Sequence, residues 1–433
     1  MIRTGCLPAL RYGMMPAVLS AAFVLLLNAC AFRELKKESE AFERAYALMG
    51  RIDIAEGRSP ESVVVVVFAD EQGGRRIKDY ALPDQTGQYA LVVGEGRYYV
   101  GAFEDANKNF ICDAGERHGF WGVPTPIDVI RGKTVFHRKK AIQNLDIRLD
   151  RETPFPAGFP AIVNTGELNG KTFVHTGRIA HPDDALFDPA NGSMGYWQPY
   201  TFLRQIGFGI YFNEPYKPGK IPVLFVHGAV GTPAGWKTIL DRLDSRRYQA
   251  WFYYYPSGLG LEASSKVLNY LVKRLHDEYR FQSLYVIAHS MGGLVSRSFI
   301  IQNHLENNPS YLKLFISLST PWGGVATAAS GVEKAPVAVP SWYDVTPDSE
   351  FIRRLYGQSL PPGLHFYLFF GVKGDCSVMM ANNDGTIEIS SEIDYRAQRE
   401  AERIFAFNED HDTILTSAAV LAQLHSVMAA APR

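Results

Sequence analysis

"LYVIAHSMGGLVSR", residues 284–297, begins as an apolar run, passes through a knot of His289, Ser290, Met291, Gly292 and Gly293, and resumes with helical spacing. A buried strand that ends on a serine among tiny residues predicts a tight strand-to-helix turn, with the serine oxygen exposed above the carboxyl edge of a sheet. Small neighbours are needed because strand and helix approach closely there, and such a turn is strained. A serine after a strand is by itself commonly structural, but here strand, turn, two glycines and apolar helix occur together.

The surroundings supply the sheet that this turn requires. "IPVLFVHG" (221–228), "YQAWFYYYP" (248–256), "LKLFISLSTP" (312–321), "LHFYLFFGV" (364–372) and "RIFAFNED" (403–410) are near-continuous apolar runs, and several are followed by helical stretches. In "SSKVLNYLVKRLHDEY" (264–279) the residues Val267, Leu268, Leu271, Val272 and Leu275 form one stripe. Apolar runs without alternation suit parallel strands covered on both faces, so the region from 220 onward predicts a doubly wound, mostly parallel sheet.

In that setting Ser290 reads as the serine of a nucleophile elbow, with Ala288 where G-x-S-x-G has its first glycine. Serine is a weak nucleophile until a base takes its proton, and the tetrahedral intermediate needs donors aimed at its oxyanion. "VLFVHGAVGTPAGW" (223–236) ends a strand with His227 and Gly228, and "SLSTPWGG" (317–324) follows a later one. With the elbow, these segments resemble lipases and related members of the α/β-hydrolase superfamily, and Ala288 resembles a variant seen in some bacterial lipases. The resemblance covers residues 220–433 and implies an α/β-hydrolase fold. It implies that the backbone N–H groups of Ala229 and Met291 form an oxyanion hole, with His227 and Gly228 supporting it. It also implies a base and an acid in the chain order Ser, acid, His. His411, after the last apolar strand, stands where this fold delivers its histidine, while His289 is directed by its backbone to pack beside the elbow. Two aspartates compete for the acid, Asp375 in "VKGDCS" and Asp384 in "ANNDGTIEI". The likeness of "NNDGTI" to the lipase Asp-Gly turn favours Asp384. Glu409, Asp410 and Asp412 adjoin His411 in sequence, but adjacent side chains diverge, so a solvated role is expected for them.

The expected activity is carboxylic ester hydrolysis through an acyl-enzyme on Ser290, on an apolar acyl ester or lipid. Thioester hydrolysis and acyl transfer use the same three residues, so the fold does not separate them. A non-catalytic surface-binding protein is the alternative from another class. The chemistry needs no cofactor. Residues 324–362 are too long for a simple connection and are expected to form a cap, with Trp322, Val337, Val339, Trp342 and Tyr343 as apolar surface; a fixed, core-packed loop is the other reading.

At the other end, Arg3 and Arg11 precede "MMPAVLSAAFVLLLNA", which has no acidic residue and leads to Cys30, the pattern of a secretory signal peptide over 1–29. "LNAC" resembles a bacterial lipobox, with Asn28 an unusual residue for it, which implies acylation of Cys30 and anchoring to a membrane; an ordinary signal peptide or an uncleaved anchor is the alternative. Ala31, in place of the aspartate associated with inner-membrane retention, implies an exported outer-membrane lipoprotein. Residues 30–49 then supply the anchor and a stalk helix, with Phe32, Leu35, Phe42, Tyr46 and Met49 on one face.

Residues 50–150 have β texture, in "SVVVVVFAD", "YALVVGEGRYYVGAFED", "TVFHRKK" and "NLDIRL", and a small all-β sandwich is the simplest account. It weakly resembles prealbumin-like or carboxypeptidase-regulatory-like domains. Within it "DANKNFICDAGE" places Asp105, Asn107, Asn109, Asp113 and Glu116 at ligand positions of a calcium loop. Phe110 stands where the EF-hand wants glycine, and Asx turns explain the same residues. Residues 151–219 read as a connector rich in Pro, Gly and aromatics.

The 433 residues are 46% hydrophobic, enough for a large core. Net charge is −1, and loss of residues 1–29 would lower Lys plus Arg from 44 to 42 against 45 acidic residues, giving −3. Without a dense basic run, nucleic acid is not an expected partner. Cys112 and Cys376 would remain as thiols able to pair, although sequence does not give their separation.

Overall fold

The structure, a computed structural model, describes residues 33–432 apart from 39, 41–43, 55–59, 73, 84–86, 108, 130–140, 163–173, 308 and 374–381. The expected signal peptide, Cys30, "TVFHRKK", Asp375 and Cys376 lie outside the described residues. Among the described residues no helix is long and apolar enough to cross a membrane.

Eight strands form the main sheet: β10 (Val174–Ile179), β11 (Phe208–Phe212), β12 (Ile221–Val226), β13 (Tyr248–Tyr254), β14 (Leu284–His289), β15 (Leu312–Leu318), β16 (His365–Gly371) and β17 (Arg403–Phe407). Their order is β10-β11-β13-β12-β14-β15-β16-β17, and every neighbouring pair is parallel except β11 with β13. Helices cover both faces. One layer carries Leu261–Tyr279 and Met291–Asn307 against the side of Leu224, Val286 and Phe315, while Ala418–Ala430 packs with Val223, Ile287 and Leu314 on the other. All six residues of β14 are buried, which is why its sequence is a run rather than an alternation. This is the α/β-hydrolase fold, with an all-β region before it.

The sheet reaches further back than residue 220. Gly209–Phe212 of β11 pair antiparallel with Tyr254–Trp251 of β13, and β10 adds a strand at the edge. "FGIYF" is buried at every position. It lies among glycines and prolines that read as a connector, and only the exposed flank of β13 makes it a strand.

The all-β region contains β1 (Tyr46–Ile54), β2 (Val63–Glu71), β3 (Gly74–Ala81), β4 (Gln88–Val93), β5 (Gly96–Glu104), β6 (His118–Trp121), β7 (Ile127–Val129), β8 (Ala141–Ile142) and β9 (Ile147–Leu149). One sheet has the order β4-β1-β8 with β9 also on β1; the other has β3-β2-β5-β6 with β7 also on β5. Leu48, Ile52, Leu91 and Ile147 from the first meet Val63, Val65, Val100 and Val129 from the second in one core. Val64, Val66 and Phe68 turn to the opposite face of β2 and pack with Phe103 and Phe159, so the unbroken valine run is buried on both sides.

The stalk helix is corrected at its far end, while Phe32 and Phe42 lie outside the described residues. Tyr46 and Met49 belong to β1, paired with Val93 and Ala90 of β4. Their three-residue spacing imitates a helix, but Leu48, Ile52 and Ile54 face the sandwich core at strand parity. Residues 33–38 are helical, yet they dock rather than project: Leu35 is buried, and the Glu38 carboxylate accepts from the Thr201 backbone N–H at 2.9 Å and from its hydroxyl at 2.6 Å.

Candidate active site

Ser290 sits at the end of β14 with φ +54°, a left-handed conformation that costs a non-glycine residue free energy. Its N–H donates to the Leu318 carbonyl at 2.8 Å, which ties the elbow to β15. Gly292 explains why the turn must be small, since a Cβ there would lie 2.5 Å from the carbonyl oxygens of Val226 and His227. Gly228 is constrained from the other side: a Cβ would come within 2.6 Å of the Ser290 Cβ. Strand β12 therefore passes directly beside the serine, and the 227–230 turn flanks its hydroxyl.

Two distant loops complete the arrangement. His411 Nε2 lies 3.0 Å from Ser290 Oγ, and His411 Nδ1 lies 2.6 Å from Asp384 Oδ2. With Nδ1–H donating to the carboxylate, Nε2 presents a lone pair to the serine hydroxyl. Asp384 itself is fixed by its own turn, because Oδ1 accepts the backbone N–H groups of Thr386 (3.0 Å) and Ile387 (2.7 Å). Gly385, at φ +100°, allows that tight reversal. The main chains of the two loops are also joined, His411 N–H donating to the Asp384 carbonyl at 2.8 Å. Burial works to raise the Asp384 carboxyl, but the hydrogen bond and charge of His411 and the two backbone donors outweigh it and hold it below its ordinary value.

Each of the other expected site residues has a definite place. Ala229 and Met291 line the same pocket as Ser290. His289 donates from Nε2 to the His411 carbonyl at 2.8 Å, and its ring packs 4.8 Å from that of His411. It therefore holds the loop rather than the serine. The His227 carbonyl accepts from the Tyr255 hydroxyl at 2.9 Å, and its ring stacks on Tyr255. Asp410 is not merely solvated: its Oδ1 accepts the N–H groups of Asp412 and Thr413, which shapes the turn that carries His411.

The pocket above Ser290 has a volume of about 260 Å³, with Tyr196, Val325, Ala328, Trp342, Val345 and Ile387 giving it mostly apolar walls. The segment expected to form a cap supplies three helices, Ala326–Lys334, Pro340–Val345 and Glu350–Leu355. Only part of its expected apolar surface faces the pocket. Trp342 does, whereas Trp322 is buried against Phe315 and Phe366, Val339 is buried outside the lining, and Tyr343 is exposed. Tyr196 comes from the helix Pro189–Trp197 in the former connector. Its only signal in the sequence is the aromatic cluster "YWQPY", which does not reveal where it docks.

The expected calcium ligands lie in one loop but are engaged with it. Asp105 accepts the N–H groups of Asn109 (2.9 Å) and Phe110 (3.1 Å), Glu116 those of Ala106 and Asp113, and Asn107 and Asn109 both donate to Asp113. Phe110 has φ +60°, the conformation for which a calcium loop employs glycine.

Burial has a consequence for acid stability. It pushes His227 down to about 4 and His289 to about 3, the nearby His411 adding to the latter, so both are neutral at pH 7. Below pH ~6.5 the unfolded chain takes up protons that the folded chain refuses until pH falls to those lower values. Stability conferred by neutral burial is thus complete above pH ~6.5 and is lost on acidification, by up to about 1.4 kcal/mol per pH unit for each histidine. Denaturant unfolding between pH 7 and 4 should show that slope, and His289→Gln should reduce it by one proton's contribution. Equal slopes would mean that His289 is not held neutral.

Residues 260–426 match a family described as "Alpha/beta hydrolase of unknown function (DUF915)". Phosphatidylcholine-sterol acyltransferase of Gallus gallus is 42% identical over 57 residues, which is 13% of this chain and 14% of that protein. Among solved structures, Bacillus licheniformis lipase BlEst2 in mature form is 17% identical with a TM-score of 0.41, covering 51% of this chain and 97% of that one. Phospholipase PlaB from Legionella pneumophila is 16% identical with a TM-score of 0.32, covering 40% and 45% respectively.

Proposed function

We propose that this chain is a serine hydrolase that cleaves carboxylic esters with apolar acyl groups. The observation that carries the reading is the continuous contact from Asp384 through His411 to Ser290, ending at a mostly apolar pocket. Ser290 Oγ attacks the ester carbonyl while His411 Nε2 accepts its proton. Asp384 orients the imidazole and stabilises the imidazolium without taking the proton itself. Backbone N–H groups of Ala229 and Met291 receive the oxyanion. Collapse of the tetrahedral intermediate expels the alcohol, protonated by His411, and water then repeats the sequence on the acyl-enzyme.

The test is single-turnover hydrolysis of p-nitrophenyl esters from two to sixteen carbons, with fluorophosphonate labelling of Ser290. A burst with preference for longer chains supports an apolar acyl substrate, and a short-chain optimum removes it. Absence of both turnover and labelling would favour a binding protein. A second reading, acyl transfer to an alcohol, draws on the 57-residue likeness to an acyltransferase. Added alcohols then divert the acyl-enzyme from acid to new ester, and a product that remains free acid at every alcohol concentration excludes it.

We further propose export and membrane anchoring through acylated Cys30, on the "LNAC" segment alone. The protein should partition with membranes and take up an alkyne-tagged palmitate, and Cys30→Ser should lose both. A Cys30→Ser protein that still incorporates the tag would end this reading.

A further inference from the structure

Beneath Asp384 lies a second acid that the ester-cleaving reaction does not use. Glu392 ends the short helix Ile389–Glu392 and is fully buried. An oxygen of its carboxyl, an oxygen of Asp384 and a ring nitrogen of His411 all lie within 4.8 Å of one another, the one such set of three His, Cys, Asp or Glu residues among the described residues. Among the described residues neither Glu392 oxygen has a donor in hydrogen-bond geometry. Among the described residues, what acts on it is the Asp384 carboxylate and the Ser319 side chain. Ser319, at the end of β15 with φ +45°, accepts from the Gly371 N–H at a long 3.4 Å, which leaves its own hydroxyl proton free to be given away.

Two carboxyl groups this close, one of them without a donor and away from water, do not both carry charge. Asp384 has two backbone donors and His411, so it keeps the charge. Burial and the Asp384 charge push Glu392 up to about 10. At neutral pH Glu392 is a carboxylic acid with one proton to donate, and Asp384 is the acceptor that faces it.

We propose, on the premise that Ser290, His411 and Asp384 form the reacting set, that Glu392 is a positioning residue: its neutral O–H is aimed at the Asp384 carboxylate and holds it in register with His411. The Ser319 side chain stands beside the same carboxyl, so a row of polar groups runs from just beyond β15 to the imidazole. Neutrality matters as much as the bond. An ionised Glu392 would place a second negative charge beside His411 and overstabilise the imidazolium, and His289, whose ring packs against that of His411, is neutral and offers no offset.

The test compares Glu392→Gln, neutral at every pH and still able to donate, with Glu392→Met, of similar length and unable to donate. Both are read by kcat, KM and the acid limb of the kcat/KM profile, with thermal unfolding as the check on folding. Glu392→Gln should keep kcat within about threefold and its acid limb within about 0.3 pH unit of wild type, as expected when no charge is removed. Glu392→Met should lose at least about tenfold in kcat at nearly unchanged KM, the scale of a buried hydrogen bond to a charged group. Wild-type kcat in Glu392→Met overturns the proposal. So does an acid limb in Glu392→Gln that falls by about one unit or more, because Glu392 would then have been charged. If Glu392→Met does not fold, the Glu392→Gln profile still decides. Failure of the underlying reading is distinguishable, since wild type would then neither turn over ester nor be labelled by fluorophosphonate.

Discussion

Ser290→Ala should abolish the acyl-enzyme burst and lower kcat by about 10⁶, with His411→Ala falling nearly as far and the double variant no further. The near-equality follows from the geometry. Ser290 Oγ and His411 Nε2 are 3.0 Å apart, and in the proposed reaction one proton passes between them, so removal of either disables the same step. What survives is what the pocket and the backbone donors still do, about 10³ to 10⁴ over the uncatalysed reaction. Fold should be unchanged, because the alanine relieves no contact that the elbow depends on: the Ser290 N–H still bonds to Leu318. The measurement is single-turnover kinetics with fluorophosphonate labelling. A Ser290→Ala protein that retains even about one part in a hundred of wild-type kcat would place the chemistry elsewhere.

Asp384→Asn should lower kcat by about 10⁴ while KM changes little. The amide fits the same space and can keep the Thr386 and Ile387 donors on its oxygen, so the turn survives. Its NH₂ then faces His411 Nδ1 and requires that nitrogen to be the acceptor. The imidazole proton moves to Nε2, the nitrogen that must receive the serine proton, and the base is lost without movement of a heavy atom. Loss of the negative charge also removes stabilisation of the imidazolium in a site with little water. The signature is low kcat, near-native KM and a native unfolding curve. An Asp384→Asn enzyme within tenfold of wild type would show that another group orients His411, and Glu392, within 4.8 Å of both, would be the first to examine.

Much of this site is legible in the sequence because each member stands where the chain changes direction. Ser290 follows an unbroken apolar run and precedes two glycines; Asp384 precedes Gly385 in a turn; His411 follows the last strand. Main-sheet strands from β12 onward are legible for the same reason, since parallel strands buried on both faces lose polar alternation. Failures occur where the deciding partner is remote. Tyr46 and Met49 match a helical stripe as well as a strand, and β4, some forty residues later, selects the strand. Trp322 and Trp342 are equally apolar in sequence. One faces Phe315 and Phe366 in the core, the other Tyr196 in the pocket.

Sequence by itself pointed to the mostly parallel sheet, the tight turn at Ser290, the proposed order serine, acid, histidine, and the apolar character of the later half, because these depend on residue type and on neighbours a few positions away. Tertiary structure decided between the competing readings. It set β10 and β11 into the sheet, turned Tyr196 and Trp342 toward the serine, and closed the gaps of 27 and 121 residues that separate Asp384 and Ser290 from His411. It also buried Glu392 against Asp384, a pairing invisible along the chain. The physical reason is that hydrogen bonds and desolvation act over a few ångströms of space, and spacing along a sequence measures that distance only within a single turn or strand.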